Sequence, residues 1–227
     1  MSVSKVVRVG FVKLGNIGSA PLLEFLLDER AERLDIQVRV VSSGAKMTPD
    51  DASEITLKML DFKPDLALVV SPNASLPGPS KVRGILKESR IPTIVVSDGP
   101  AKKVVKQFDE EGFGYLIVDA DSMIGARREF LDPAEMALFN ADVIEVLSVT
   151  GVFNLLCSEM DKVVASCRKE AAFTLPRIVV DKEKAIEAAG FGNQYAKVKA
   201  MAAYEIARHV ADLTVEGCFV VKEWERY

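Results

Sequence analysis

The chain has 227 residues, of which 49% are hydrophobic and 27% charged, with a formal net charge of −4 at pH 7. This length suits one large domain, or one domain with a smaller partner, and the apolar fraction allows a sizeable core. Acidic and basic residues are interspersed and no apolar run approaches a membrane span, so the sequence predicts neither a nucleic-acid-binding nor a membrane protein.

Cysteine usage and the first residues predict a cytoplasmic protein. The three cysteines, Cys157, Cys167 and Cys218, form no Cys-x-x-Cys pair and lie in apolar segments. This pattern is typical of reduced core thiols and argues against a structural zinc site. Lys5 and Arg8 interrupt the apolar stretch at the start of the sequence, which argues against a signal peptide.

The first half of the chain predicts alternating strands and helices. Short apolar runs rich in Val and Ile are each followed by a turn and a helix-like stretch, which is typical of parallel strands covered on both faces. The predicted strands are residues 9–14, 36–41, 66–70, 93–96 and 115–118. Thr48-Pro49 and Gly78-Pro79 mark helix starts, because proline at the first helical position loses no hydrogen bond.

The second half predicts a largely helical region. Asp132, Pro133 and Glu135 combine an N-cap, a first-position proline and a capping-box carboxylate. Helix-like segments follow at residues 133–147, 152–168, 182–189 and 194–213, with candidate short strands at 177–180 and 218–221. We therefore predict an α/β fold, with a doubly wound, mainly parallel sheet in a Rossmann-like domain over residues 1–131 and a helical C-terminal region over 132–227.

Ligands of such a sheet bind at the carboxyl ends of the strands, where turns expose backbone amides. The predicted turns there are residues 15–19, 43–47, 71–73, 98–100 and 119–123. The first turn has only two glycines, and the second strand ends in serines rather than an acid, so a nicotinamide dinucleotide fits poorly. On spacing alone, Gly15 and Gly18 also suit a tight junction between strand and helix.

Two further segments carry candidate binding chemistry. Residues 43–47, Ser-Gly-Ala-Lys-Met, offer a hydroxyl, an ammonium and a thioether to an anionic tail or a planar ring, with a solvated loop as the alternative. Arg127 and Arg128 suit bidentate binding of a carboxylate or phosphate, and suit an ion-pair network between domains equally well.

Conventional catalytic constellations are absent from the sequence. His209 is the only histidine and is expected to have a structural role near the end of a long helix. Neither a Gly-x-Ser-x-Gly elbow nor a Gly-x-x-x-x-Gly-Lys-Ser/Thr loop occurs. The sequence therefore argues against serine hydrolysis and ordinary nucleoside triphosphate hydrolysis.

Several of these strings together resemble the F420-dependent methylenetetrahydromethanopterin dehydrogenases of methanogenic and related archaea. They are VKLGNIG at 12–18, LLDERA at 26–31, SSGAKM at 42–47, MIGARREFLDP at 123–133 and AAGF at 188–191. The resemblance extends from residue 7 to 221 and implies an oxidoreductase of methanogenesis and one-carbon metabolism. Such an enzyme transfers hydride reversibly between coenzyme F420, a dissociable co-substrate, and methenyl/methylene-tetrahydromethanopterin, without metal or bound flavin.

Direct hydride transfer asks the protein to align two organic molecules and exclude water, so no catalytic residue is obligatory. For F420 and its phosphodiester tail we hypothesise binding by Lys13, Gly15, Asn16, Ile17, Gly18, Ser43, Gly44, Lys46, Met47, Ser71 and Asn73. For the pterin we hypothesise Asp121, Met123, Ile124, Gly125, Arg127 and Arg128. The electrostatic candidates, which would favour the cationic methenyl form, are Asp98, Asp121 and Glu129. The opposite assignment of the two ligands stays open.

The end of the chain departs from the family pattern. Family members continue beyond the region that resembles residues 218–221 into a further helical segment, whereas this sequence ends at Tyr227. The family resemblance implies a homo-oligomer built from dimers, hexameric in the family, and the shorter end bears on that assembly. It also favours the alternative of a shortened, non-catalytic protein that binds deazaflavin or pterin; a purely structural module is the third reading.

Overall fold

One parallel sheet forms the centre of the computed structural model, which describes residues 5–28, 33–122, 132–169 and 174–221, with the side chains of Cys218 and Phe219 excepted. Within these ranges its strands are β1 (Val7–Lys13), β2 (Ile36–Ser42), β3 (Leu66–Ser71), β4 (Thr93–Asp98), β5 (Gly114–Val118) and β6 (Arg177–Val180). All neighbours pair in parallel in the order β2-β1-β3-β4-β5-β6. The predicted parallel α/β sheet is confirmed.

Helices connect these strands and follow them. They are α1 (Ser19–Asp28), α2 (Pro49–Asp61), α3 (Pro77–Glu88), α4 (Val105–Glu111), α5 (Pro133–Val149), α6 (Val152–Arg168), α7 (Lys182–Ala189) and α8 (Gln194–Val215). A 3-10 helix, Gly99–Val104, joins β4 to α4. The candidate strand at 218–221 was wrong, because α8 runs on into a π-helical turn, Glu216–Val220, in which Val221 N donates to Glu216 O.

Capping chemistry starts two helices where the sequence predicted it. Thr48 Oγ1 accepts from Asp51 N at 3.2 Å ahead of α2. Asp132 Oδ1 accepts from Ala134 N and Glu135 N at 2.7 and 2.9 Å, and the Glu135 carboxylate returns the bond to Asp132 N at 3.2 Å. These contacts satisfy amides that a helix leaves unpaired in its first turn.

Alternating side chains make the sheet doubly wound. All of β3 is buried: Leu66, Leu68 and Val70 join one hydrophobic cluster with α1, α5 and α6, while Ala67 and Val69 join another with α2 and α3. Both faces of the central strands are therefore covered by helices, which explains why these strands appear in the sequence as uninterrupted apolar runs.

Strand β6 extends the sheet with residues from the second half of the chain. It pairs with β5 in the register Leu116↔Ile178, and Val180 lies in the same cluster as Val118. Helix α6 contributes Leu156 to that cluster. Residues from both sides of the predicted boundary between 131 and 132 share this core. The division into two units there stays a prediction.

None of the helices in the described ranges, taken singly, is long and apolar enough to cross a membrane. Helices α5 and α6 reach the required length and composition only as a pair, and they are bent by 67° at the break between them. Helix α6 buries Leu156, Met160 and Val164 in the core cluster beside the sheet.

Candidate functional site

The carboxyl ends of β1, β2 and β3 meet in one group of turns. Gly15 N donates to Gly44 O at 2.8 Å, and Ser43 N donates to Lys13 O at 3.1 Å. Strand β1 lies between β2 and β3, so this is where the strand order reverses. Crevices at such switch points are the usual ligand sites of open α/β sheets.

Glycines allow these turns to pack closely. Gly15 has a φ of +71°, and a Cβ there would lie 3.0 Å from Pro72 Cδ and 3.1 Å from Met47 Sδ. A Cβ at Gly78 would lie 2.1 Å from the backbone oxygen of Met47. The Met47 thioether, expected to face a planar ring, therefore lies beside Gly15 of the turn after β1 and is half-buried.

Serine side chains shape the turn after β3. Ser97 Oγ donates to Ser71 O at 2.7 Å and accepts from Ala74 N at 3.0 Å. The amide oxygen of buried Asn73 accepts from Ser75 N at 3.1 Å and Ser75 Oγ at 2.6 Å. The side-chain oxygen of Asn73 is thus used within the turn. Ser71 Oγ, by contrast, is a buried hydroxyl without a partner among the described residues.

A buried arginine supports the same turn. Arg83 donates to Ala74 O at 2.6 Å and to Ser80 Oγ at 2.8 Å, and its guanidinium lies 4.9 Å from the centre of the Phe108 ring. Burial lowers the pKa of Arg83 to about 10. Arg83 was missed by sequence reasoning, since an arginine among lysines on an amphipathic helix carries no signal of burial.

Asp121, in the turn after β5, caps the first turn of helix α1. Its carboxylate accepts from Gly18 N at 2.6 Å and from Ser19 N at 2.8 Å, and it is fully buried. Burial raises the pKa of Asp121 to about 6, although the two amides favour the ionised form. The α1 amides that an anionic tail was expected to use are therefore bonded to Asp121.

Gly18 is required by this packing. A Cβ there would lie 2.8 Å from Asp121 Oδ1, and at the same distance from Leu147 and Val143 of α5. The geometry at this glycine suits the tight junction between strand and helix that spacing alone also allowed. Ile17, beside it, is fully buried in the core cluster, and Asn16 is partly exposed.

Asp98, the last residue of β4, is a buried acid. It is 1% exposed, and neither carboxyl oxygen has a partner among the described residues. Burial, and then the charge of Asp121, raise the pKa of Asp98 well above its usual range. Two interacting buried carboxyl groups do not readily ionise together. These effects shift Asp98 toward its protonated form, and its hypothesised role as a carboxylate beside the cationic substrate stays a prediction.

Buried polar atoms without partners concentrate at this edge. Of seven such side-chain atoms in the described residues, two belong to Arg8 and Arg83, whose guanidiniums lie over aromatic rings. The other five belong to Ser19, Ser71, Asp98 and Asp119. Native buried polar groups are nearly always hydrogen-bonded, so this concentration marks the carboxyl edge as the candidate site.

Lysines at this edge differ in their availability to an anion. Lys13 pairs with Glu24 at 2.8 Å, and Lys102 pairs with Asp119 at 2.6 Å. Burial raises the pKa of Asp119, against the nearby ammonium. Lys46 is exposed and has no ion pair within the described ranges. It is therefore better placed than Lys13 to meet an anionic ligand.

The described structure brings together the predicted residues after β1, β2 and β3, together with Asp98 and Asp121. Six predicted residues lie outside the described ranges: Met123, Ile124, Gly125, Arg127, Arg128 and Glu129. A cavity of about 600 Å³ lies elsewhere, between β6, α6 and α7. Its lysines and arginine are paired with carboxylates, Lys162 with Glu159 for example, so they do not gather free positive charge there.

The cap on α1 is testable by substitution. Asp121→Asn retains the shape but turns an amide group toward one of the two donors, and we expect it to lower the free energy of unfolding by about 2 kcal/mol. Urea denaturation measures the loss. The matched control is Asp212→Asn on α8, where the carboxylate is 65% exposed and pairs with Arg208, and the expected change is below about 0.5 kcal/mol. Equal midpoints for both variants would contradict the cap.

The sequence of this chain is similar to that of one known protein family. Residues 7–227 match a family model described as methylene-5,6,7,8-tetrahydromethanopterin dehydrogenase. The F420-dependent methylenetetrahydromethanopterin dehydrogenase of Archaeoglobus fulgidus is 56% identical over 98% of this chain and 80% of the relative. Proteins of the same name from Methanothermobacter marburgensis and Methanocaldococcus jannaschii are 50% and 49% identical, with the same coverage.

Structure comparison agrees. The chain superposes with a TM-score of 0.90 and 44% identity on an F420-dependent methylene-tetrahydromethanopterin dehydrogenase solved in complex with methylene-tetrahydromethanopterin and coenzyme F420. The superposition covers 98% of this chain and 81% of the solved one. With nearly its whole length matched in both sequence and fold, the chain belongs to the methylene-5,6,7,8-tetrahydromethanopterin dehydrogenase family.

Proposed function

We propose that this chain is an F420-dependent methylenetetrahydromethanopterin dehydrogenase. The observation that carries the proposal is 56% identity, over 98% of the chain, to a relative of that name. The reaction moves a hydride from the methylene carbon to the deazaflavin, leaving the cationic methenyl form, and a proton completes reduced F420. The alternative of a shortened binder is not favoured, because relatives that carry the enzyme's name match almost the whole chain.

The carboxyl edge suits this chemistry. Hydride transfer between two bound molecules requires ring alignment and exclusion of water more than acid–base groups. Gly44, in the turn after β2, leaves open space for close approach of a ligand, whereas Gly15 and Gly18 pack against protein atoms. Ser71 and Asp98, whose side chains have no partner among the described residues, supply polar atoms for its orientation. The residues of this chain would thus bind, orient and shield the two reactants.

The anionic tail of F420 is assigned to the turn after β2. Asp121 already uses the amides of Gly18 and Ser19, which directs the tail away from α1. Gly44, with a φ of +62°, has open space where its Cβ would be, and Lys46 is exposed beside it. An ammonium near an open backbone turn is a common arrangement for binding a phosphodiester.

We also infer that the chain self-associates and works in the cytoplasm. Helix α5 is apolar around much of its circumference, yet Leu138 is 67% exposed, and α8 exposes Ile206 and Leu213 along one side. Apolar helix faces of this kind mark protein contacts in water-soluble proteins. Cys167 is a buried thiol outside any disulfide, in keeping with a reducing compartment.

Turnover is the direct test of the proposed function. Purified protein mixed with oxidised F420 and methylene-tetrahydromethanopterin is expected to bleach the deazaflavin absorbance, with a turnover number of about 1 to 1000 per second. Saturable binding of both ligands without bleaching would favour the shortened binder. Titrations without binding of either ligand would leave only the structural module.

Lys46 tests the assignment of the tail. Lys46→Ala is expected to raise the KM for F420 about fivefold, because one charge-assisted contact with the tail is lost, and to change kcat less than about twofold. Lys58→Ala is the control, since Lys58 lies on α2 and pairs with Glu54. An unchanged KM for F420 in Lys46→Ala, or an equal rise in both variants, would contradict the assignment.

Light scattering tests self-association. We expect a molar mass in solution of at least twice the 24.8 kDa of one chain, and we expect Leu138→Glu to reduce that mass. Leu57→Glu, which alters a 57% exposed leucine on α2 across the sheet, should not. A wild-type mass of one chain would refute self-association.

A further inference from the structure

Asp98 stands out among the polar side chains of the carboxyl edge. Its neighbour Ser97 bonds to the turn after β3, and Asp121 bonds to the first turn of α1. Asp98 is as deeply buried as these residues, yet both of its oxygens lack partners among the described residues. A buried group of this kind costs free energy and therefore calls for a role.

The local backbone does not use the Asp98 side chain. Asp98 occupies the N-cap position of the 3-10 helix Gly99–Val104, where an aspartate normally accepts a hydrogen bond from a backbone N–H of the first turn. Here the side chain accepts none, and Pro100 removes one of the amides that would follow. The carboxyl group is therefore available to something other than its own helix.

The charges around Asp98 disfavour a carboxylate. The charged group that raises the pKa of Asp98 is another acid, Asp121, and it acts in addition to burial. Lys102, on the adjoining 3-10 helix, pairs with Asp119 at 2.6 Å, and Arg83 donates to Ala74 O and Ser80 Oγ. Within the described ranges no cation forms an ion pair with Asp98. An unpaired buried carboxyl group is stable only when it holds its proton.

We propose that Asp98 is a protonated carboxylic acid that donates a hydrogen bond to a ring carbonyl of the heterocycle bound at the carboxyl edge. Asp98 ends β4 and pairs in register with Val118 of β5, which places it on the same edge as the turns assigned above. Both the deazaflavin and the pterin carry a ring carbonyl, to which the O–H of a protonated acid can donate. Asp98 is thus a positioning residue for the proposed reaction, and this role rests on that proposal.

Two substitutions separate a donor from a charge. Asp98→Asn retains a hydrogen-bond donor and removes the possibility of a negative charge, so we expect kcat/KM within about threefold of wild type. Asp98→Leu removes the donor at similar volume and leaves the ring carbonyl unpaired, so we expect a fall of about 10- to 100-fold. Should Asp98→Leu fail to fold, Asp98→Ala makes the same comparison.

The distribution of the loss distinguishes positioning from a structural role. In Asp98→Leu the KM of one ligand, F420 or methylene-tetrahydromethanopterin, should rise at least fivefold while the other stays within twofold. The ligand affected identifies the ring that Asp98 contacts. A loss in Asp98→Asn as large as in Asp98→Leu would show that a charge is needed and overturn the proposal. So would activity unchanged in both variants, or an equal rise in both KM values.

The same variants keep this proposal separate from the proposed function. If the wild type binds both ligands without turnover, dissociation constants replace KM, and the same asymmetry between Asp98→Asn and Asp98→Leu is expected. If the wild type binds neither ligand, the donor role is overturned together with the function. Turnover in the wild type with equal, full activity in both variants would overturn the donor role alone.

Discussion

The bond between Asp121 and the first turn of α1 is the constraint on which the carboxyl edge depends. The two carboxylate oxygens of Asp121 accept from Gly18 N and Ser19 N at 2.6 and 2.8 Å, and Gly18 is 103 positions away from Asp121 in the sequence. The contact fixes the end of β5 against the turn after β1 and satisfies amides that would otherwise be unpaired. It also demands glycine at position 18, where a Cβ would meet Asp121 and two side chains of α5.

The position of Asp121 affects both the backbone donors that remain for an anion and the pKa of Asp98. Because Asp121 takes the α1 amides and Gly44 N donates to Ser42 Oγ at 3.0 Å, the proposed anion site depends on the exposed Lys46 ammonium in the turn after β2. Burial, and then the charge of Asp121, raise the pKa of Asp98 above its usual range. A family of enzymes that moves hydride between two bound molecules needs such fixed polar atoms more than it needs an acid or a base.

Local patterns in the sequence predicted most of the fold, whereas the states of the site residues depend on tertiary burial. Strands such as β3 were predictable because both faces are covered, and α5 because its capping box is local. The π-helical turn after α8 was missed, since an apolar run such as residues 218–221 suits a strand equally well. Nothing in the spacing of Asp98 or Arg83 indicated that either is buried, because their neighbours come from distant elements.

Hydrogen exchange with bound ligands tests the central claim, that two heterocycles are held at the carboxyl edge. Oxidised F420 and methenyl-tetrahydromethanopterin cannot react with each other, so both remain intact during labelling. We expect the ligands to slow amide exchange in the turns after β1, β2, β3 and β4. We expect unchanged exchange in α7 and β6, which line the separate cavity. Protection confined to α7 and β6, with the carboxyl edge unchanged, would contradict the account.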